Sequence, residues 1–85
     1  MTDKNLSYWI VYIVQCADNT LYTGITNNLE RRIAQHESGK GAKYTKGRAP
    51  LIVIHTEKYR TKGEALKREY QIKSLDRPAK LQLIK

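Results

Sequence analysis

Apolar residues are spaced in two ways along the chain, and the two spacings separate predicted strands from predicted helices. Residues 8–15 and 20–26 are rich in aromatic and β-branched side chains, and the turn-forming residues 17–19 lie between them. This arrangement predicts a β-hairpin. Pro50 precedes another apolar run at 51–55, which predicts a third strand that pairs with the hairpin.

A first helix is predicted directly after the hairpin. We expect Asn27 to cap it, because Glu30 stands three residues later as the second half of a capping box. Gly39 and Gly41 predict that this helix ends after Ser38, since glycine commonly follows the last helical residues.

Two further helices are predicted near the C-terminus. Thr61 and Glu64 form another capping box, and the helix that they open should run to about Ser74. Pro78 interrupts the helical pattern and suits the first turn of a helix, so a short last helix should begin there and end at Ile84. The predicted order of elements is ββαβαα.

Length and cysteine content limit what the chain can be. Its 85 residues suffice for one small domain, which we expect to have a core at about 8–76 and a short C-terminal helix at 78–84. The single Cys16 cannot form an internal disulfide, and the apolar run 9–14 is too short to span a membrane. We therefore expect a reduced, cytoplasmic protein.

The net charge of +8 is unevenly distributed along the chain. Residues 1–29 hold one lysine against two aspartates, whereas the basic residues concentrate in two later clusters. The first cluster contains Arg31, Arg32, Lys40, Lys43, Lys46 and Arg48, and the second contains Lys58, Arg60, Lys62, Lys67, Arg68 and Lys73. Such asymmetry favours a polyanionic partner, with nucleic acid ahead of a membrane surface, over a merely solvated basic surface.

Charged residues also occupy helix positions where the pattern favours apolar ones. Leu29, Arg32, Ile33 and His36 have the spacing of one helical stripe, which is half apolar and half cationic. In the later helix, Glu69 shares a broad face with Ala65, Leu66, Tyr70, Ile72 and Lys73, most of which we expect to pack. Because buried charges are usually paired or line a site, two readings stay open: a structural Arg32–Glu69 ion pair or a functional cleft.

A family resemblance bears on this choice. Ile10-Val11-Tyr12 and Tyr22-Thr23-Gly24 are followed by Arg32 and His36, and later by Glu64-Ala65, Glu69 and Ile72-Lys73. In this order and spacing the residues resemble the GIY-YIG nuclease domain, and the small single-domain YhbQ-like (UPF0213) branch is the most similar. The resemblance runs from about Trp9 to Leu75.

The resemblance implies both a fold and a set of roles. The fold would be α+β, with a three-stranded antiparallel sheet flanked by helices, and the activity would be metal-dependent hydrolysis of phosphodiester bonds in DNA. Tyr12 and Tyr22 would border the attacking water and the scissile phosphate, and Arg32 would bind that phosphate. His36 would assist nearby, and Glu69 would hold Mg²⁺ or Mn²⁺.

The nucleic-acid partner would be held by basic side chains around this cleft, and DNA is expected before RNA. The expected contacts are Arg31, Lys40, Lys43, Lys46, Arg48, Lys67 and Lys73. With no segment to spare for reading a base sequence, selectivity should follow DNA shape, as repair or recombination requires.

The chain departs from the family pattern at three points. Ile10 replaces the first glycine, Ile25 stands where several members carry a lysine, and no asparagine follows Asn28. A nucleic-acid-binding module with little or no catalysis is therefore the alternative function. A chain that acts only with a partner protein that supplies targeting is a third.

Overall fold

The structure, a computed structural model, describes residues 8–38 and 50–84. The elements follow the order ββαβαα. They are β1 (Trp9–Gln15), β2 (Leu21–Thr26), α1 (Leu29–Glu37), β3 (Ile52–Tyr59), α2 (Lys62–Lys73) and α3 (Arg77–Leu83). The expected α+β class and the expected three-stranded antiparallel sheet are both confirmed.

The hairpin strand β1 forms the centre of the sheet, whose strand order is β2-β1-β3. Tyr12 pairs with Gly24 on one side and with Thr56 on the other. The third strand extends to Tyr59, beyond the expected end at residue 55, because its later residues continue to pair with β1 as far as Trp9. An irregularity in the β1–β3 pairing lies between Ile13 and Val14.

Both faces of β1 are buried, and each contributes to a different apolar cluster. Val11 and Ile13 pack with Ala65 and Ile72 of α2. Tyr12, Val14, Cys16 and Leu51 form the second cluster, against which Leu29 and Ile33 of α1 pack. Because successive strand residues point to opposite faces, α1 and α2 cover opposite faces of the sheet. Cys16 is buried within the second cluster.

The cap of α1 differs from the sequence expectation. The N-cap is Asn28, whose side chain accepts a hydrogen bond from the backbone N–H of Arg31 at 3.1 Å. The capping box expected at Asn27 and Glu30 is therefore wrong. Thr26 favours Asn28 over the adjacent Asn27 as the N-cap. Its hydroxyl accepts a hydrogen bond from the backbone N–H of Asn28 and donates one to the Asn28 carbonyl. The helix ends at Glu37 with Ser38 as its C-cap, one residue before the predicted end.

The later helices agree more closely with expectation. Both halves of the Thr61–Glu64 capping box are present, and α2 ends before Ser74 as predicted. The last helix begins one residue early, at Arg77, because Asp76 caps it by accepting a hydrogen bond from Ala79 N–H. In the parts of the chain that the structure describes, no helix is long and apolar enough to cross a membrane.

The buried face of α2 is narrower than the periodicity suggested. Ala65 and Ile72 are fully buried, but Leu66 is 44% exposed and Tyr70 is 77% exposed. The expectation that both would pack is wrong. A straight helix contacts the sheet along a narrow stripe, and these two residues lie beyond it.

Candidate active site

A cluster of three rings, two of them buried and one half-buried, forms where α1 covers the sheet. The rings are those of Tyr12, Tyr22 and His36, with centroids 5.4 to 6.3 Å apart. Both contacts that involve His36 are edge-to-face. His36 is 1% exposed and Tyr12 is also 1% exposed. The helical stripe predicted from the sequence therefore does place His36 against the two strand tyrosines.

A hydrogen bond joins two members of this cluster. The hydroxyl oxygen of Tyr12 lies 2.9 Å from Nε2 of His36. Burial raises the pKa of the Tyr12 phenol, and the Arg32 guanidinium opposes that rise. Burial, helped by the charge of Arg32, lowers the pKa of His36. At neutral pH the phenol is therefore protonated and the imidazole is neutral, and in the tautomer with its proton on Nδ1 the Tyr12 hydroxyl donates to Nε2.

Gly24 provides the space in which the Tyr12 side chain lies. The two residues are direct partners in the β1–β2 pairing. A Cβ atom at position 24 would lie 2.6 Å from the Tyr12 hydroxyl oxygen and 2.8 Å from its Cζ atom. It would also lie 3.1 Å from Cε2 of Tyr22. The glycine of the second triplet is therefore needed for the packing of both tyrosines, whatever its backbone angles.

Arg32 lies one helical turn before His36 and has a neutral hydrogen-bond partner. Its NH1 group donates to Oε1 of Gln35 at 3.1 Å. Glu69 pairs instead with Lys73, at 3.2 Å. Among the residues that the structure describes, Arg32 and Glu69 thus form no ion pair, and the structural reading left open by the sequence is wrong. Among the described residues the hydrogen-bonding neighbours of Arg32 are Gln35 and the Tyr12 hydroxyl, so donors of the guanidinium remain for another ligand.

The α2 helix supplies the remaining charged groups of the site. Because β2 is an edge strand, a side chain from α2 can approach Tyr22 past that edge, and the Lys73 ammonium lies 5.9 Å from the centre of the Tyr22 ring. The Glu69 carboxylate is close enough to contribute to the raised pKa of Tyr12. Lys73 thus places a cation beside Tyr22, although Ile25 occupies the position where several family members carry a lysine.

The predicted nucleic-acid contacts divide into three groups. Arg31 is exposed at the start of α1, and Lys73 lies beside Tyr22. Lys67 lies on the opposite flank of α2, where it lines a cavity of about 270 Å³ with Tyr59, and is not brought to the ring cluster. The remaining four, Lys40, Lys43, Lys46 and Arg48, lie outside the described residues.

Sequence reasoning missed two contributors to this geometry. Gln35 orients Arg32 and could have been found from its i, i+3 spacing on the same helix. The approach of Lys73 to Tyr22 depends on how α2 crosses the sheet, and no local pattern in the sequence encodes that crossing.

Comparisons with known proteins identify the family of the chain. A family model described as the GIY-YIG catalytic domain matches residues 8–82. A UPF0213 protein of Natronomonas pharaonis is 54% identical over 74 residues, which are 87% of this chain and 87% of the relative. A UPF0213 protein of Oceanobacillus iheyensis is 57% identical over 74 residues, or 87% of this chain and 86% of the relative.

Two solved structures share the fold. The solution NMR structure of a UPF0213 protein from Bacillus halodurans has a TM-score of 0.60 at 47% identity, covering 91% of this chain and 82% of that one. A solution NMR structure of a protein from E. faecalis has a TM-score of 0.62 at 42% identity, covering 89% and 82%. The chain belongs to the GIY-YIG catalytic-domain family, in its UPF0213 branch.

Proposed function

We propose that this chain is a metal-dependent endonuclease that hydrolyses phosphodiester bonds in DNA. The family match supports a nuclease acting on nucleic acid. The single observation that carries the proposal for this chain is the hydrogen bond from buried Tyr12 to neutral His36, with Arg32 acting on both groups. This arrangement provides a proton acceptor and a cation for phosphate within one small volume.

Arg32 is the residue proposed to bind the scissile phosphate. Negative charge builds on the non-bridging oxygens as water attacks phosphorus, and a guanidinium stabilises that charge more than it stabilises the ground state. The planar guanidinium also matches phosphate geometry in a way that a lysine ammonium does not. The bond to the neutral Gln35 orients Arg32 without cancelling its charge.

Tyr12 and His36 are proposed to accept the proton of the attacking water together. As the O–P bond forms, the water proton passes to the Tyr12 oxygen while the Tyr12 proton passes to Nε2 of His36. No lasting phenolate is required, which suits a phenol whose pKa is raised by burial. The leaving oxygen takes its proton from solvent, and the proton on His36 returns through the Tyr12 oxygen to solvent once the products leave.

Substrate binding would strengthen this proton acceptor. In the free protein the charge of Arg32 helps to lower the pKa of His36. A bound phosphate neutralises Arg32 and so removes that repulsion, and the basicity of His36 rises when the substrate is present. The base is therefore weak in the free protein and becomes stronger in the complex.

Glu69 is proposed to hold the divalent metal. Among the described residues, no group of three or more His, Cys, Asp or Glu side chains could hold a metal ion. One carboxylate is nevertheless enough for Mg²⁺, which usually keeps several waters and takes one or two carboxylates plus substrate oxygens. Glu69 fits that donor set, because it is partly exposed and its partner Lys73 is a flexible, exposed side chain. When bound, Mg²⁺ or Mn²⁺ would supply charge stabilisation at the phosphate.

DNA shape is proposed to decide which phosphates are cleaved. All the site residues belong to the elements of one small fold, and none of the described elements is left over to read bases in a groove. Ends, flaps and single-stranded regions should therefore be cut in preference to intact duplex, with little sequence preference. Repair and recombination supply DNA of this kind.

The variant Glu69→Gln tests the function. It keeps the size of the side chain and removes the anionic ligand, so metal-dependent cleavage should fall by orders of magnitude. Because the Glu69–Lys73 pair is an i, i+4 pair with a half-exposed lysine, its loss should cost no more than about 0.5 kcal/mol of stability. DNA binding should persist or tighten.

Cleavage of single-stranded, duplex and branched DNA would be measured with Mg²⁺ or Mn²⁺, beside thermal unfolding and DNA affinity. A folded variant that binds but does not cut supports the nuclease. A wild-type chain that binds DNA without metal-dependent cleavage would establish the alternative, a nucleic-acid-binding module. Cleavage by the wild type only after a second protein is added would establish the partner-dependent reading.

A further inference from the structure

A basic pocket lies at the turn between β1 and β2, outside the groups that the proposed reaction uses. Its cavity of about 170 Å³ is lined by Thr20, Leu21, Arg77 and Lys80. One water molecule occupies about 30 Å³ in the liquid, so the cavity can hold a group as large as a phosphate. Two of the four lining residues carry a positive charge.

The two cations keep hydrogen-bonding capacity for a ligand. NH1 of Arg77 donates to the backbone carbonyl of Asn19 at 2.8 Å, and this acceptor is neutral. In the part of the chain that the structure describes, the Lys80 ammonium forms no hydrogen bond or ion pair. Neither cation is therefore neutralised by a described carboxylate.

The nearest acidic side chains have other partners. Oδ1 of Asp18 accepts hydrogen bonds from the hydroxyl and backbone N–H of Thr20, at 2.6 and 3.2 Å. Asp76 caps α3 through Ala79. The carboxylates at this end of the sheet thus stabilise a turn and a helix end, while the two cations face the cavity.

The turn fixes where Arg77 lies. Asn19 has a φ of 69°, in the left-handed region that asparagine tolerates better than most residues. Its side chain accepts a hydrogen bond from Gln15, and its backbone carbonyl accepts from Arg77. The hairpin therefore holds the guanidinium at the pocket before any ligand arrives.

The pocket lies across the edge strand β2 from the candidate active site. Leu21 lines the pocket and packs on the α2 side of the sheet, whereas Tyr22, the next residue of β2, belongs to the ring cluster on the α1 side. On the helical side, Lys73 lies beside Tyr22 and Arg77 follows four residues later along the chain. Two cations from one short segment thus flank the start of the same edge strand.

We propose that this pocket binds a second backbone phosphate of the nucleic-acid strand whose scissile phosphate binds at Arg32. The proposal rests on the proposed function, since it assigns the substrate strand a path from the ring cluster past Tyr22 to Arg77 and Lys80. Contacts of this kind are made to groups that every sequence shares, so they set the position of the strand without reading bases.

The variants Lys80→Gln and Arg77→Gln test the proposal, with Lys62→Gln as the matched control. Lys62 is also exposed, loses the same charge, and lies at the far end of α2, about 16 Å along the helix from Lys73 at 1.5 Å per residue. Lys80→Gln removes no protein–protein bond among the described residues and so should fold normally. Binding is measured to a short single-stranded oligonucleotide in EDTA, where no cleavage intervenes.

Each pocket variant should weaken binding about fivefold at 0.1 M salt and reduce the salt slope by about 0.7, the value for one neutralised phosphate on a single strand. Lys62→Gln should change neither quantity. The amide resonances of Thr20, Leu21 and Lys80 should shift when the oligonucleotide is added. Inorganic phosphate is added in a separate titration.

Three results would overturn the proposal. The first is that all three variants bind the oligonucleotide with the same affinity and the same salt slope. The second is that the oligonucleotide does not shift the resonances of the pocket residues. The third is that inorganic phosphate saturates the pocket and the oligonucleotide does not compete with it. Because these readouts need no catalysis, their failure is distinct from failure of the nuclease itself, which appears as absent metal-dependent cleavage.

Discussion

A hydrogen bond of 2.9 Å joins the hydroxyl of Tyr12 to Nε2 of His36, although 24 positions separate the two residues in the chain. One residue comes from the central strand and the other from the helix that covers it. The bond therefore exists only when the helix is docked on the sheet. The proposed chemistry of the site therefore depends on the packing of α1 against the sheet.

Tyr12→Phe should lower cleavage by roughly 10²- to 10⁴-fold, the usual contribution of a positioned acid–base group. The ring that fills the core remains, but the hydroxyl that bonds His36 is lost. Tyr59→Phe is the matched control, because its hydroxyl bonds Glu57 at a distance from the site. The control should cut at the wild-type rate. Equal activity of both variants would remove Tyr12 from the mechanism.

The same pair sets the dependence of the reaction on pH. His36 must be neutral to accept a proton, and its pKa in the free protein is lowered from 6.5. As the pH is lowered, kcat/KM should therefore begin to fall only below pH 6.5. The fall in kcat should begin at a higher pH than the fall in kcat/KM, because the bound phosphate neutralises Arg32. A fall in both at the same pH would show that substrate leaves the basicity of His36 unchanged.

Gly24→Ala should destabilise the protein by about 1–3 kcal/mol, since a Cβ atom would be forced against the buried Tyr12 ring. Cleavage should fall as well, because relief of the clash moves the hydroxyl away from His36. Gly63→Ala is the control, since nothing lies within 4 Å of the added Cβ in the first turn of α2. It should raise stability by up to about 1 kcal/mol. Chemical denaturation of both variants measures the difference.

Acid should destabilise the fold partly through Glu57. This carboxylate accepts from Nε and NH2 of Arg68, and also from Tyr59. These contacts, the bonds from Arg68 above all, lower its pKa from 4.5 to about 2. A lowered folded-state pKa gives stability that is present above pH 4.5 and is lost as the pH falls towards 2, an effect of roughly 2 kcal/mol after solvent screening.

His36 adds a loss of stability that begins near pH 6.5, because its imidazole binds a proton more readily in the unfolded chain than in the folded protein.

Thermal unfolding from pH 8 to pH 2 measures this dependence. Glu57→Gln should remove most of the decline between pH 4.5 and pH 2 and leave the earlier decline in place. A variant whose profile has the same shape as that of the wild type would show that other carboxylates are responsible.

Thr23→Val should stabilise the protein by about 1 kcal/mol. The hydroxyl of Thr23 is buried and has no hydrogen-bond partner among the residues that the structure describes, so the folded state bears its desolvation cost without a compensating bond. Valine has nearly the same shape and no polar atom to desolvate. Because Thr23 lies beside the two motif residues Tyr22 and Gly24, retained cleavage in this variant would show that the middle residue of the triplet takes no part in the reaction. A loss of stability would reveal a bond that forms in solution.

Local patterns in the sequence were sufficient for much of the fold. The hairpin, the helical stripe that carries His36 and the Thr61 capping box were all predicted, because each depends on residues close together in the chain. The Asn28 cap was missed, since two adjacent asparagines have the same propensity and only the bonds to Thr26 distinguish them. The added length of β3 was missed because pairing with distant β1 extends it.

Long-range geometry explains what the sequence could not provide at the site. Tyr12, Tyr22, Arg32, His36 and Glu69 were all named from the motif, and the structure places the three ring residues together with Arg32 beside them. The i, i+4 spacing on α2 made Lys73 a local candidate partner of Glu69. Whether Arg32 could compete depended on long-range packing, and α1 and α2 cover opposite faces of the sheet.

Because β1 is the central strand, the backbone that carries Tyr12 should open only in the slowest motion of the molecule, which is unfolding of the whole domain. Its backbone is hydrogen-bonded to strands on both sides, and residues 11–14 are buried on both faces. Amide protons in such a strand exchange with solvent mainly when the whole domain unfolds, whereas those near chain ends exchange by local opening. The backbone that carries Tyr12 therefore cannot loosen separately. For this chain, the lifetime of the native state sets the lifetime of the Tyr12 backbone position, and the bond to His36 requires in addition that α1 stay docked on the sheet.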